Sequence, residues 1–458
     1  MDQTIVNRRA GARAAHAWLA LLVGMTMALL GACVADAGNS GTGSTPDLAT
    51  STARGVVASL RGDGIDLTWR AEPGAEPFVV EWRKAGTAAW TGSLDAPTTA
   101  ARVTGLTPNT TYRFRVRSAA ADPVTGWSGI VSRGYFEPTL PIVTINTVDR
   151  QRILDKENYV AGQFELDPNS HDVAAYSGTT EIRGRGNSTW NLDKKPYRLR
   201  LATKAPLMGM PSDRHWVLLA NAYDNSQIRN VAAFALAGET GLGWVPRLRH
   251  VEVILNGRYE GVYLLGEHVR VSPNRVDIDE MGPADISGEA LTGGYNLELD
   301  TRLEQNHEPG FRTATYNVPI VVKDPDPAAP EQMNYAKALL DAFEAALASE
   351  QFTDPVLGYR AHIDVASWID YYLIAEVTRQ QDAFQSSTFL NKDRGEQLRF
   401  GQVWDFDLSA GREATVTSNG LTSGWTVLDR NLSPWVARAV QDPWFVAAVR
   451  ARWEVLKP

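Results

Sequence analysis

Cysteine is all but absent from this chain: among 458 residues there is one, Cys33. That excludes a disulfide within the chain and a cysteine-built zinc site. The seven histidines are scattered and no His-Glu-x-x-His run occurs, so a zinc-protease helix has no support. A Gly-x-Ser-x-Gly nucleophile elbow is missing as well. Positive charge is not in excess: 45 Lys and Arg stand against 53 Asp and Glu, a formal net charge of −8. General nucleic-acid binders show a basic footprint, and no nucleic-acid partner is expected here. Past the N-terminal segment, no apolar run is long enough to span a bilayer without charges. What remains, 44% hydrophobic and 21% charged residues, is ordinary for globular domains.

The N-terminus departs from this pattern. Arg8, Arg9 and Arg13 precede an apolar stretch from Ala17 to Leu30, followed by Gly31-Ala32-Cys33. A charged start, a short hydrophobic segment and small residues before a cut make a secretory signal. Leu30-Gly31-Ala32-Cys33 resembles a bacterial lipobox, which implies acylation of Cys33 and export to the outer side of the cell membrane. Residues 1–32 are therefore expected to be a lipoprotein signal peptide. Residues 33–54, rich in Gly, Ser, Thr and Ala, cannot bury enough surface to offset their ordering entropy and are expected to be a tether.

From residue 55 to about 138 short alternating segments take over. Ile65-Asp66-Leu67-Thr68-Trp69 and Phe78-Val79-Val80-Glu81-Trp82 alternate large apolar with polar residues, as half-buried antiparallel strands do. Leu106-Thr107-Pro108-Asn109-Thr110-Thr111-Tyr112 resembles the corner of fibronectin type III domains. The resemblance implies an all-β sandwich with Trp69 in its core and the Tyr112 hydroxyl pinning the corner. No catalytic residue types cluster in it, leaving a spacer or a weak protein- or glycan-contacting surface as its role. Arg133 to Pro141 is the expected linker.

Two acidic segments carry the chemistry of the remainder, residues 140–458. Asp382 opens Asp382-Ala383-Phe384, and Asp405 lies in Val403-Trp404-Asp405-Phe406-Asp407 after an apolar, strand-like run. An aspartate at a turn, a hairpin and an Asp-Phe-Asp triplet follow the order of the catalytic base and metal-binding aspartate of protein kinases. Upstream, Glu181 to Trp190 and Asp193 to Leu201 read as strand, glycine-bearing turn and strand. Glycines let a backbone approach an anion, and Arg183, Arg185, Lys194 and Lys195 surround that turn with positive charge. Between these segments, helices are expected from the Asp224-Asn225-Ser226 cap to Ala237, over Gln332–Ser349 and over Ile363–Thr378, the last delivering Asp382. Asn256-Gly257 marks a hairpin.

The ordered set Arg185-Gly186-Asn187-Ser188-Thr189-Trp190 with Lys194-Lys195-Pro196-Tyr197, Trp216 to Asn221, Ser226 to Asn230, Gly261 to Glu267, Gly293 to Asp300, Asp382-Ala383-Phe384 and Trp404-Asp405-Phe406-Asp407 resembles the CotH family of atypical kinases. The resemblance implies an α+β, two-lobed, kinase-like domain using ATP with Mg²⁺ or Mn²⁺. It implies Asp382 as catalytic base and Asp405 and Asp407 as metal ligands. Arg183, Arg185, Lys194, Lys195 and Glu267 become the nucleotide-side residues, and the acceptor a Ser/Thr hydroxyl of an envelope or extracellular protein. One departure stands out: where conventional kinases place a metal-binding asparagine after the catalytic aspartate, this chain has Ser387. The competing reading is a surface adhesin or envelope-structural protein that keeps the fold without the activity.

Overall fold

The computed structural model describes residues 53–61, 63–411 and 424–457. Cys33, the expected leader and nearly all of the tether lie outside them. Among the described residues no helix is long and apolar enough to cross a membrane.

The N-terminal part is an all-β sandwich. Strands β1 (Ala53–Arg61), β2 (Gly64–Ala71), β3 (Phe78–Lys84), β4 (Gly92–Ala96), β5 (Ala100–Thr104), β6 (Thr110–Ser118) and β7 (Val131–Tyr135) form two sheets. Their orders are β1-β2-β5 and β4-β3-β6-β7. Alternation puts Ile65, Leu67 and Trp69 of one sheet against Phe78, Val80, Phe114 and Val116 of the other. Trp69 meets Phe78 edge-on at 5.3 Å. The Tyr112 hydroxyl accepts a hydrogen bond from the Thr107 amide at 2.9 Å and closes the corner. The expected linker starts later than its sequence suggested, because Arg133 and Tyr135 complete β7.

Next comes a closed seven-stranded barrel. Its strands are β8 (Ile142–Thr147), β9 (Val160–Asp167), β10 (Tyr176–Gly184), β11 (Tyr197–Leu207), β12 (Met210–Leu219), β13 (Leu248–Leu255) and β14 (Arg258–Glu267). They run in the order β10-β11-β12-β14-β13-β8-β9. Ile182, Leu199, Trp216, Val251, Tyr263 and Leu265 fill the interior. The β13–β14 hairpin turns on Asn256 and Gly257, both at positive φ, as a two-residue turn matched to strand twist requires.

Helix α1 (Arg229–Gly238) leaves β12, opened by Asp224, whose carboxylate takes the Ser226 and Arg229 amides at 3.0 Å each. The C-terminal part is a six-stranded mixed sheet in the order β16-β17-β15-β19-β20-β18. It comprises β15 (Tyr295–Leu299), β16 (Gly310–Arg312), β17 (Pro319–Asp324), β18 (Ile363–Asp364), β19 (Thr388–Lys392) and β20 (Leu398–Phe400). Helices α2 (Pro330–Ala348), α3 (Val365–Val377), α4 (Pro434–Ala439) and α5 (Pro443–Leu456) pack with it. Asp364 caps α3 by accepting from the Ala366 and Ser367 amides, as an N-cap aspartate does. Around Trp368, an aromatic cluster of Phe343, Tyr359, Phe400 and Phe445 is fully buried. Each such ring stabilises the core by about 1.5–3 kcal/mol relative to exposure, so α3 is a fixed platform for the turn that carries Asp382.

Candidate active site

Strand β15 is buried along its whole length, yet its sequence alternates. Tyr295, Leu297 and Leu299 join the apolar core; Asn296 and Glu298, with Asp300 beyond the strand end, turn to the other face. There Gln402 Nε2 donates to Asn296 Oδ1 at 3.0 Å, and Asp300 Oδ1 accepts from Ser386 Oγ at 2.9 Å and from the Arg302 amide at 2.9 Å. Glu298 is bridged by Lys323 at 3.3 Å, and Lys323 also meets Glu308 at 2.7 Å.

Asp382 is presented by a tight turn after α3, whose Gln385 and Ser386 amides fold back onto the Asp382 carbonyl. The hairpin after that turn, β19 to β20, pairs Leu390 with Phe400. Beyond Phe400 the chain is irregular, and Asp405 takes φ +63°. The regular strand ends at Phe400, and Asp405 and Asp407 follow it on irregular backbone. Two bonds hold the irregular segment: Gln380 Nε2 donates to the Asp405 carbonyl at 2.6 Å, and the Phe406 amide donates to Asn230 Oδ1 of α1 at 2.7 Å. Phe406 is sunk in the core against Phe234, while the Asp405 side chain stays open to solvent and Asp407 is buried.

These carboxylates sense one another. Burial raises Asp382 above the usual carboxylate range, offset by Arg302 and Arg430 and reinforced by Asp300. Asp405 is raised by its surroundings of protein, against the pull of Arg185, with Asp382 adding to the rise. Asp407 is raised by burial and by the charges of Asp405, Asp382 and Asp224. Mutual repulsion of this kind is what a cation relieves.

The opposite wall is basic. Because Ile182, Leu199 and Trp216 point into the barrel, their neighbours Arg183, Arg198 and His215 point out. Arg183 pairs directly with Arg198 across β10 and β11, although like charges directly opposite are destabilising. Arg185 follows on the glycine-bearing turn, with its guanidinium 5.3 Å from the Trp404 ring, and it feels the charges of Asp405, Glu298 and Asp407. Asn187 of the same turn accepts from Asn306 at 3.3 Å. The structure therefore brings Asp382, Asp405, Asp407 and Arg185 together, with Arg183 beside them.

Lys194, Lys195 and Glu267 are placed elsewhere. The Lys194 ammonium donates to the Val262 carbonyl and lies 4.7 Å from the Tyr263 ring, and burial pushes it down to about 8. It lines a cavity of about 560 Å³ with Asp193, Asn221, Asn225 and Gln227, a cavity that takes in none of Asp382, Asp405 and Asp407. Lys195 donates to the Trp190 and Leu192 carbonyls at 2.8 Å each and closes its own turn. Glu267 is opposite Trp216 in register and buried, with Oε2 accepting from the Arg247 amide and Nε. Ser387, half-buried at φ +52°, leaves the contact with Asp300 to Ser386.

Sequence reasoning missed Asp300 and Arg302, which surround Asp382, and Arg198, His215 and His268 on the basic wall. Asp300 was visible as the polar end of an alternating strand. The basic wall required the strand register.

Residues 182–457, more than half of the chain, match the CotH kinase protein family. The chain belongs to that family. Residues 51–132 match the fibronectin type III domain, in agreement with the sandwich. No curated protein matches the chain. Among solved structures, one described as a myokine structure shares 15% identity, covering 19% of this chain and 97% of its own, with a TM-score of 0.17. The FN5 domain of Drosophila Lar shares 20% (19% and 97% covered, TM-score 0.16), and the fn3 domain of human contactin 1 shares 19% (22% and 94% covered, TM-score 0.16).

As for a metal, no three His, Cys, Asp or Glu side chains converge to ligating distance among the described residues. Asp405 and Asp407 nevertheless fit a hard cation such as Mg²⁺, which takes one or two carboxylates and completes its shell with water and substrate phosphate.

Proposed function

We propose that this CotH family member is an exported, membrane-anchored phosphotransferase that moves phosphate from ATP to Ser/Thr hydroxyls of envelope or extracellular proteins. The observation that supports the reading is that Asp382, Asp405 and Asp407 lie within electrostatic reach of one another and of Arg185, with Arg183 next to Arg185. In this reading the barrel and the second sheet act as the two lobes of a kinase-like domain.

Phosphoryl transfer asks a protein mainly for positioning and charge stabilisation. Asp382, on the rigid turn after α3, orients the attacking hydroxyl and accepts its proton; its raised pKa makes it the stronger proton acceptor. Arg183 and Arg185 draw the phosphates to the basic wall. Asp405 and Asp407 would hold Mg²⁺ or Mn²⁺, which when bound would supply positive charge to neutralise the phosphates. Lipidation of Cys33 would keep the enzyme at the membrane, and Cys33→Ser should release it from the membrane fraction. Retention of a processed Cys33→Ser protein there would count against the anchor.

The adhesin reading has one feature in its favour. On the sandwich, Arg115 lies 4.2 Å from the Trp90 ring and 3.9 Å from that of Trp127, in a half-exposed Arg–Trp ladder suited to contact with a protein or glycan. Two measurements separate the readings: thermal stabilisation by ATP with Mg²⁺ or Mn²⁺, and transfer of labelled phosphate to envelope extract. A kinase shows both. A folded chain showing neither, across divalent ions, is the adhesin.

A further inference from the structure

The basic wall carries more positive charge than its neighbours neutralise. Nearby acids are already engaged: Glu181 with Arg200 at 2.6 Å, Asp213 with Arg275 at 3.5 Å and Arg270 at 3.8 Å, and Asp155, which feels Arg183, with the Glu157 and Asn158 amides at 2.9 and 2.7 Å. That leaves Arg183 facing Arg198, with His215 on the adjoining strand and His268 just past β14. The two imidazoles lie 6.4 Å apart. Four polar atoms here are buried without a hydrogen-bond partner: Arg183 Nε, Arg198 Nε, His215 Nδ1 and His268 Nδ1. Buried polar atoms of this kind call for a partner from outside the chain: water, an ion or a ligand.

We infer that this wall is a polyphosphate site in which Arg183 and Arg198 hold the anion and His215 and His268 take up protons as it binds. It rests on the phosphotransferase reading for the nucleotide as the natural anion; the proton coupling does not depend on it.

The charges around the pair explain the coupling. His215 faces Arg198 and Arg200 of β11, Arg270 beyond β14, and Asp213 of its own strand. His268 faces Arg198, Arg185, Arg275 and His215, and adjoins Glu267. Burial and these guanidinium groups push His215 down to about 4 and His268 well below the usual imidazole range. These shifts favour the neutral form of both rings. A polyanion placed among them reverses the local field and favours imidazolium, so protons pass from solvent to the rings on binding. The bound state then holds more protons than the free state, and the histidines' contribution to affinity falls as pH rises. A neutral imidazole also accounts for the fold's tolerance of the cluster when it is empty.

The test is calorimetric titration of the full chain near pH 6 with ATP and Mg²⁺, and separately with inorganic triphosphate, in buffers of different ionisation heat. The expected result is uptake of about one proton per anion. In His215→Gln/His268→Gln, which keeps polarity but cannot titrate, uptake should vanish and affinity near pH 6 should fall about tenfold. Equal uptake by wild type and variant overturns the inference. If ATP fails to bind but triphosphate binds with histidine-dependent uptake, the phosphotransferase reading fails and the site stands. If neither anion binds the wild type, the site falls. Should the double variant not fold, imidazole NMR titration of the wild type with and without triphosphate decides: an upward move of both rings supports the site, and no move overturns it.

Discussion

In the phosphotransferase reading Asp382 and Asp405, which sense each other's charge, have different roles, and their substitution should separate the two. Asp382→Asn removes proton acceptance while leaving the basic wall and the other two carboxylates in place. It should retain metal-dependent ATP binding and lose transfer by several orders of magnitude, on the scale of general-base and electrostatic contributions combined. Asp405→Ala should lose transfer and also metal-dependent binding, read by thermal stabilisation with and without Mg²⁺. Retained transfer in both would remove the cleft from the chemistry. At this scale the sequence was informative about types and order, and less so about partners. The Asp382 and Asp405 segments were legible as a kinase-like pair by their order, and in the structure the two carboxyls lie close enough for Asp382 to raise Asp405. The lysines were equally visible as cations, but Lys195 bonds to its own turn and Lys194 to Val262. Sequence shows that a charge exists; only packing shows which carbonyl or ring it faces.

Among elements, the long periodic helices and the Asn256-Gly257 hairpin were readable because their signals are local. The segment 401–407 was not, since its apolar run suggested a strand while tertiary bonds from Gln380 and Asn230 hold it irregular. Strand β15 shows what such packing costs. Its polar face buries Glu298, and that burial, eased by Lys323 but reinforced by Asp300 and Glu308, pushes the carboxyl up to about 7. The folded protein then keeps a proton that the unfolded chain, with an ordinary carboxyl near 4.5, has released. Glu298 therefore lowers stability progressively as pH rises from about 4.5 through about 7. Glu298→Gln should flatten that decline, since Lys323 keeps Glu308 as partner at 2.7 Å. Thermal midpoints of wild type and variant, followed from pH 4.5 to 8, should accordingly diverge in the variant's favour. Parallel curves would mean the carboxyl titrates normally.

On the scale of the whole molecule, the sandwich is not a loosely hung spacer. Ile142 of β8 and Ile254 of β13 belong to the sandwich's own apolar cluster, and Phe136 stacks on Tyr259 at 4.8 Å. Glu252 accepts from the Thr139 and Leu140 amides and from the Tyr259 hydroxyl, and the Leu60 amide donates to the Gly257 carbonyl. The connecting segment is thus sewn to the barrel by bonds that no composition rule reveals, because its Pro and Glu residues read as an ordinary linker. A sandwich and barrel sharing core residues should unfold together, in one calorimetric transition. Gly257 is the place to test this. It sits at φ +78°, and an added Cβ would come 2.5 Å from Ser59 Oγ and 2.8 Å from Ser59 Cβ across the junction. Gly257→Ala should cost about 1–2 kcal/mol from the left-handed backbone alone. The clash should also pry the two bodies apart, splitting the transition and exposing the segment around Pro138 to protease. Two independent transitions in the wild type, or an unchanged single transition in the variant, would show that the junction carries no coupling. A single wild-type transition that splits would make the sandwich a rigid strut, held at a fixed orientation to the barrel by the shared core of Ile142 and Ile254.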